Sequence, residues 1–300
     1  SGIPVDPRKI RFIVETDIPE RLGPQPAGTA VTRSVADHLF NFLELEVKKT
    51  GYLPPIQTGF GSIADSIADA FQHSGFRDLQ FFCGGVTEPV LELLASGKAT
   101  ALSTGGLGMS ERVEQVLNDT PNLSDHLVIR NGDISNSAEV IGRLGLVALN
   151  TGIEVDVYGN VNSSHIAGSR VVNGIGGGAG FAQNAGLSVM LIPSVAKGGA
   201  ISNIVPMVSH QDISEHDVDV VVTENGVADL RGLDDGERAD ALVAHCASDA
   251  YRGQLAAYLK TAREQCGGHH PQLPEAAFGW YRRLKEEGTC LLYTSDAADE

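Results

Sequence analysis

The sequence is poor in positive charge, in cysteine and in long apolar runs. Across its 300 residues, 22 lysines and arginines stand against 38 aspartates and glutamates, a formal net charge of −16. That balance excludes the basic footprint on which binding to a nucleic-acid backbone depends. No apolar run nears the roughly 18–20 residues of a membrane-spanning helix. The most apolar stretches, such as Leu187–Ile192 and Val218–Val222, are strand-sized. Cys83, Cys246, Cys266 and Cys290 are scattered and form no Cys-x-x-Cys pair, which points to a reducing compartment and the cytoplasm. The first residues have no basic segment followed by an apolar one, so a secretory leader is not expected there. A Gly-x-Ser-x-Gly elbow, a Lys-Ser/Thr ending on a glycine loop, internal repeats and heptads are all missing as well.

What is present describes a globular protein. With 42% apolar and 20% charged residues, the chain can bury a substantial core. Glycine turns separate strand-like from helix-like segments: strands at Ile56–Thr58, Leu79–Phe82 and Thr100–Ser103, and helices at Ile63–His73, Pro89–Ala95 and Ser110–Leu117. Further strands are expected at Leu146–Leu149, Glu154–Tyr158, Val171–Val172, Leu187–Ile192, Ile204–Val208 and Val218–Thr223, and a helix from Asp235 to Cys246 capped by Asp234 or Asp235. This alternation predicts an α/β fold with an open, mixed, mainly parallel sheet flanked by helices. Residues 1–50 read as a connector and an amphipathic helix, 51–265 as the α/β domain, and 266–289 as a helical extension. Residues 290–300 resemble the translation of a sequencing adapter and are set apart from the fold.

Several clusters could carry chemistry. The run Asn173-Gly-Ile-Gly-Gly-Gly-Ala-Gly-Phe181 fits a dinucleotide fingerprint at Gly174, Gly176 and Ala179. A ribose-binding acid about 20 residues later is missing, however, and Lys197 stands in that region. Its broader meaning is close backbone approach to an anion, or simply a tight strand-to-helix turn. Gly59-Phe60-Gly61 offers the same at a second strand end. Glu154 and Asp156 share one face of a strand, as paired acids or as its polar face, and the structural role is favoured. The run Ser209–Asp217 is rich in metal-ligand residue types but matches no zinc spacing, so a polar loop is expected and no metal site. Glu224, before Asn225-Gly226 at a strand end, is either a crevice carboxylate or part of a turn.

Taken in order, Tyr158-Gly-Asn-Val-Asn-Ser-Ser-His165, Asn173-Gly-Ile-Gly-Gly, Pro193-Ser-Val-Ala-Lys-Gly-Gly199, Ile204-Val-Pro-Met-Val-Ser-His210 and Val220–Leu233 resemble the acetyl-CoA hydrolase/succinyl-CoA:acetate CoA-transferase family, in its C-terminal portion. The resemblance extends from Gly59-Phe-Gly-Ser-Ile-Ala to Ala276-Ala-Phe-Gly-Trp280. It implies a three-layer CoA-transferase-like domain acting on short acyl-CoA thioesters and small carboxylates, by CoA transfer or hydrolysis. Coenzyme A would then be a substrate, with no tightly bound cofactor, and a homodimer and an upstream domain of the same chain are the implied partners. Gly59, Phe60 and Gly61 match the family's CoA-contacting turn. Asn136 and Gly176, Gly177 and Gly178 match its oxyanion donors, Glu224 is retained as a candidate catalytic acid, and Gly84 falls where the family carries its nucleophilic glutamate. Gly180 likewise replaces an aspartate. Cys83 and Glu88 are the neighbouring groups able to replace the glutamate. Without a replacement the chain is a CoA-binding pseudoenzyme or paralogue.

Overall fold

The computed structural model describes residues 5–18 and 28–291; the rest of the connector before Gly28 and the tail from residue 292 lie outside them. Helix α1 (Ala30–Thr50) opens with a reciprocal capping box between Thr29 and Thr32 and closes on Gly51 in the left-handed region, φ 83°. It buries Val35, Leu39, Phe42 and Leu43, the three-and-four spacing of one helical face.

Eight strands form the central sheet: β1 (Ile56–Thr58), β2 (Leu79–Cys83), β3 (Ala99–Thr104), β4 (Leu127–Ile129), β5 (Val147–Thr151), β6 (Leu187–Leu191), β7 (Val220–Thr223) and β8 (Gly226–Asp229). Their spatial order is β8-β7-β6-β5-β1-β2-β3-β4. Every pairing is parallel except the β7–β8 hairpin, which turns through Glu224-Asn225. From β1 the chain first builds outward through β2, β3 and β4, then returns to the other side of β1 with β5, β6 and β7. The sheet therefore reverses its direction of growth between β1 and β5.

Helices cover both faces. On one face α1, α2 (Ser62–His73), α3 (Glu88–Ala95) and α4 (Glu111–Asp119) pack on Val147, Leu149, Val189, Leu191, Val220 and Val222. Their alternate neighbours turn the other way. Met190 and Val221 join the core of α8 (Asp235–His245), α9 (Asp249–Cys266) and α10 (Pro274–Glu287), while Ala148 packs with Phe82, Ile141, Leu146 and Phe181. The period-two alternation thus fills one core on the first face and two on the other from one set of strands. Three layers result, as the α/β pattern predicts.

Four expected strands are shorter, Leu187–Ile192 by its last residue only. Glu154–Tyr158 keeps strand geometry only through Asp156, whose carboxylate accepts the N–H groups of Tyr158, Gly159 and Asn160 and turns the chain. Ile204–Val208 stops at Val205 because Pro206 has no N–H for a ladder. Val218–Thr223 begins at Val220. The capping expectation holds at Asp234, whose side chain accepts from Glu237 N–H in a capping box. Helix α10 falls within residues 266–289, and Cys290, just beyond it, is buried with its N–H on the Ala200 carbonyl, 2.9 Å.

Candidate functional site

In a parallel sheet, ligands gather beyond the strand C-termini where the order of strands reverses. Here that place lies beyond β1, β2 and β5. A cavity of about 480 Å³ opens there, and it contains Gly59, Phe60, Gly84, Asn136, Gly176, Gly177 and Gly178. The structure therefore brings together seven residues drawn from four separate stretches of chain. Gly61 is one step removed, as the N-cap of α2, and does not line the cavity.

Each arrives through local chain geometry. Gly59 and Phe60 follow the last residue of β1, and Gly84 follows the last residue of β2. The glycine run 174–178 leads into the short helix α7 (Gly178–Asn184), for which Gly177 is the N-cap. Asn136 closes a single helical turn, Gly132–Ser135. Its Oδ1 accepts from Ser135 Oγ at 2.8 Å, which fixes the amide plane. The amide nitrogen then faces both glycines: a Cβ on Gly177 would lie 2.6 Å from Nδ2 and one on Gly84 3.0 Å from it. No real Cβ tolerates the first of these distances, so Gly177 has to be glycine for Asn136 to stand where it does.

The cavity wall is electrically unusual. Among its lining residues there is no aspartate, glutamate, lysine, arginine, histidine or cysteine. Polarity comes instead from peptide groups and from Gln57, Thr58, Asn136, Asn150, Thr151, Ser163 and Asn173. Gln57 Nε2 donates to Asn150 Oδ1 at 3.3 Å, and Asn150 Nδ2 donates to the Gly178 carbonyl at 3.4 Å. This buried amide relay ties β1 and β5 to the glycine turn. Gln57 and Asn150 belong to no motif in the sequence; their one signal is an amide side chain inside a strand-sized segment. What such a wall can do chemically is hold a polarised carbonyl or a developing oxyanion with neutral donors.

The groups considered as chemical replacements lie elsewhere. The Cys83 thiol is fully buried between β1 and β2, accepting from Thr58 N–H at 3.5 Å, and burial pushes its pKa up to about 11. Glu88 sits in the first turn of α3 and accepts from Ser110 Oγ at 3.0 Å. Glu224 does not reach the cavity either: its carboxylate accepts from Ser194 N–H at 2.8 Å and Ser194 Oγ at 2.5 Å, holding the hairpin turn to the loop after β6. Lys197 is exposed outside the lining, and Arg231 is paired with Glu46 and Asp229 while its guanidinium lies over Phe42. Glu154 and Asp156 are buried structural acids. Tyr281 Oη donates to Glu154 at 2.5 Å, joining α10 to that strand.

The eight-stranded sheet with helices on both faces is the fold of the CoA-transferases. A solved structure of 4-hydroxybutyrate CoA-transferase from Porphyromonas gingivalis superposes with a TM-score of 0.62 at 24% identity, covering 80% of this chain and 57% of that one. Residues 114–259 match the acetyl-CoA hydrolase/transferase C-terminal domain. Succinyl-CoA:acetate CoA-transferase of Clostridium kluyveri is 39% identical over 286 residues, 94% of this chain and 53% of that protein. Acetyl-CoA hydrolase of Neurospora crassa is 37% identical over 302 residues, 96% of this chain and 57% of that protein. The chain belongs to the acetyl-CoA hydrolase/transferase family. It spans about half the length of the curated relatives it matches.

Proposed function

We propose that the protein binds short acyl-CoA thioesters in the cavity beyond β1, β2 and β5 and serves CoA transfer to a small carboxylate, or thioester hydrolysis. The observation that carries this reading is the convergence of Gly59 and Phe60, Asn136 and Gly176–Gly178 on one cavity, with neutral donors where a thioester oxygen gathers charge. Asn136 and Gly177 act as the oxyanion donors. Coenzyme A enters as substrate rather than resident cofactor, a cytoplasmic setting suits the reaction, and a homodimer is the assembly to look for.

A second reading has its own support. Gly84 stands in the cavity beside Asn136, at the position matched to the family's glutamate, and no ionisable side chain lines the wall. On this reading the chain is a CoA-binding paralogue whose nucleophile is gone. CoA exchange between succinyl-CoA and acetate, followed together with thioester hydrolysis, separates the two when run on the full-length protein and its Gly84→Glu variant. Turnover by the wild type discards the paralogue reading. A silent wild type with an active variant means an intact binding frame without its carboxylate, and failure of both to bind acyl-CoA removes the acyl-CoA assignment altogether.

A further inference from the structure

The polar run Ser209–Asp217 has ligand-type residues without a zinc spacing, and the fold supplies the missing partner from another segment. His165 lies on the short strand His165–Ile166, paired with Arg170–Val171. Its ring stacks on that of His210, with centroids 3.8 Å apart and planes inclined by 34°. Asp212 completes the group: His210 Nε2 is 3.2 Å from Asp212 Oδ1, and one donor atom from each of the three residues falls within 4.8 Å of the others. We propose that His165, His210 and Asp212 form a binding site for a divalent first-row transition ion of the zinc type, with water completing its coordination. The proposal stands on these side chains alone and does not depend on the acyl-CoA reading.

The hydrogen bonds around the cluster leave the right lone pairs free. The Ser164 hydroxyl has one proton and lies 2.6 Å from Asp212 Oδ2, an oxygen that can only accept, so the hydroxyl donates there. Ser164 Oγ is also 2.8 Å from His165 Nδ1, and with its proton committed it accepts from Nδ1–H. That assigns the tautomer with Nε2 of His165 unprotonated and free to ligate. A ligating imidazole whose second nitrogen donates to a fixed oxygen is the arrangement that holds the ring's orientation in metal sites. Asp212 is fixed as well: its Oδ2 accepts from Ser163 N–H at 2.8 Å and Ser163 Oγ at 3.2 Å, leaving Oδ1 toward the histidines. The 3.2 Å between His210 Nε2 and Asp212 Oδ1 is the spacing of two ligands about 2.0–2.2 Å from one tetrahedral zinc ion.

The scaffold is preorganised, because both histidine segments are tied to the fully buried Asn162. Asn162 Oδ1 accepts from the N–H groups of Ser164 and His165, while its Nδ2 donates to the His165 carbonyl and to Ser209 Oγ. Access differs from ligand to ligand: the His210 side chain is 41% exposed and that of Asp212 only 2%, so an ion enters from the His210 side onto a buried carboxylate. The donor set of two imidazoles and one carboxylate favours zinc-type ions over magnesium or calcium, which require mostly oxygen. Binding places two charges of opposite sign to the carboxylate between two loops. Those loops also carry Ser163 and Ile213 of the cavity wall.

Cobalt(II), titrated into the metal-stripped full chain and read by visible absorption and calorimetry, tests the site. One ion per chain is expected, with d–d bands of nitrogen and oxygen ligation and no thiolate charge-transfer band from the exposed Cys266. His210→Gln and His165→Gln should each weaken binding about tenfold or more, since both remove a ligand. His210→Gln alters a partly exposed side chain and should fold as the wild type does; circular dichroism of the metal-free protein checks this. A wild type that takes up less than a tenth of an equivalent overturns the proposal, as does affinity unchanged in a folded His210→Gln variant.

Discussion

The amide nitrogen of Asn136 faces Gly84 so closely that a Cβ on Gly84 would lie 3.0 Å from it. The two groups belong to separate loops, one after β2 and one after the single turn Gly132–Ser135. A side chain at position 84 therefore begins in contact with the Asn136 amide. Asn136 is exposed and can retreat by the few tenths of an ångström required. Gly84→Glu should fold with a stability loss of no more than about 1–3 kcal/mol, the cost of mild overpacking, as read by urea denaturation. If that variant turns over, adding Asn136→Ala should lower its rate about 10²–10³-fold, the usual effect of losing one oxyanion donor.

At Gly177 the same amide has to give way further. Gly177→Ala would put a Cβ 2.6 Å from Asn136 Nδ2, whereas Gly180→Ala, three residues on, meets nothing within 4 Å. Affinity for a CoA thioester, measured by calorimetry, should fall about tenfold or more for Gly177→Ala, equivalent to about 1.4 kcal/mol. Gly180→Ala should bind as the wild type does; equal affinity in the two variants would disprove a role for the Asn136–Gly177 contact.

Thiol reactivity separates the four cysteines. Burial pushes Cys83 up to about 11 and Cys246 up to about 12, and Cys290 is raised in the same way. Cys266 is exposed. Brief iodoacetamide treatment of the native protein at pH 8, followed by peptide mass spectrometry, should label Cys266 and leave Cys83 and Cys246 unmodified, because the thiolate is the reacting species. Rapid labelling of Cys83 would restore it as a candidate nucleophile.

Asp156 gives stability a dependence on pH. Burial raises its carboxyl from 3.8 to about 6, although three backbone N–H groups favour the anion. Between those values the folded chain holds a proton that the unfolded chain has released, so this group's contribution to stability falls as pH rises from about 4 to about 6. The full change is about 3 kcal/mol at 1.36 kcal/mol per pH unit. Urea midpoints of the wild type and Asp156→Asn should show it as a stability difference that moves against the wild type across that range. A constant difference would mean that Asp156 does not titrate there.

Much of this architecture can be read from residue pattern alone, and the places where it cannot have physical causes. Val189, Leu191, Val220 and Val222 alternate with Met190 and Val221, so the strands and their two-sided burial are legible. Strand β4 has only three residues, too short for a period to register, and β8 depends on the hairpin turn rather than on its own apolar content. In the cavity, glycine turns were visible because glycine is locally diagnostic. Gln57 and Asn150 were not, since a buried amide acquires its partner only when β1 and β5 become neighbours. Glu224 stays ambiguous in the sequence for the complementary reason: its position at a strand end suits a crevice or a turn alike, and the serine that holds it, Ser194, is 30 residues away.

The cavity's main-chain wall has one last consequence. Donors that belong to the peptide backbone are inherited with the path of the chain, not with the identity of any side chain. A lineage can exchange the residue at position 84 while the peptide groups of the glycine turns around the cavity remain in place. The path of the chain around the cavity and the side chain at position 84 can thus change independently of one another.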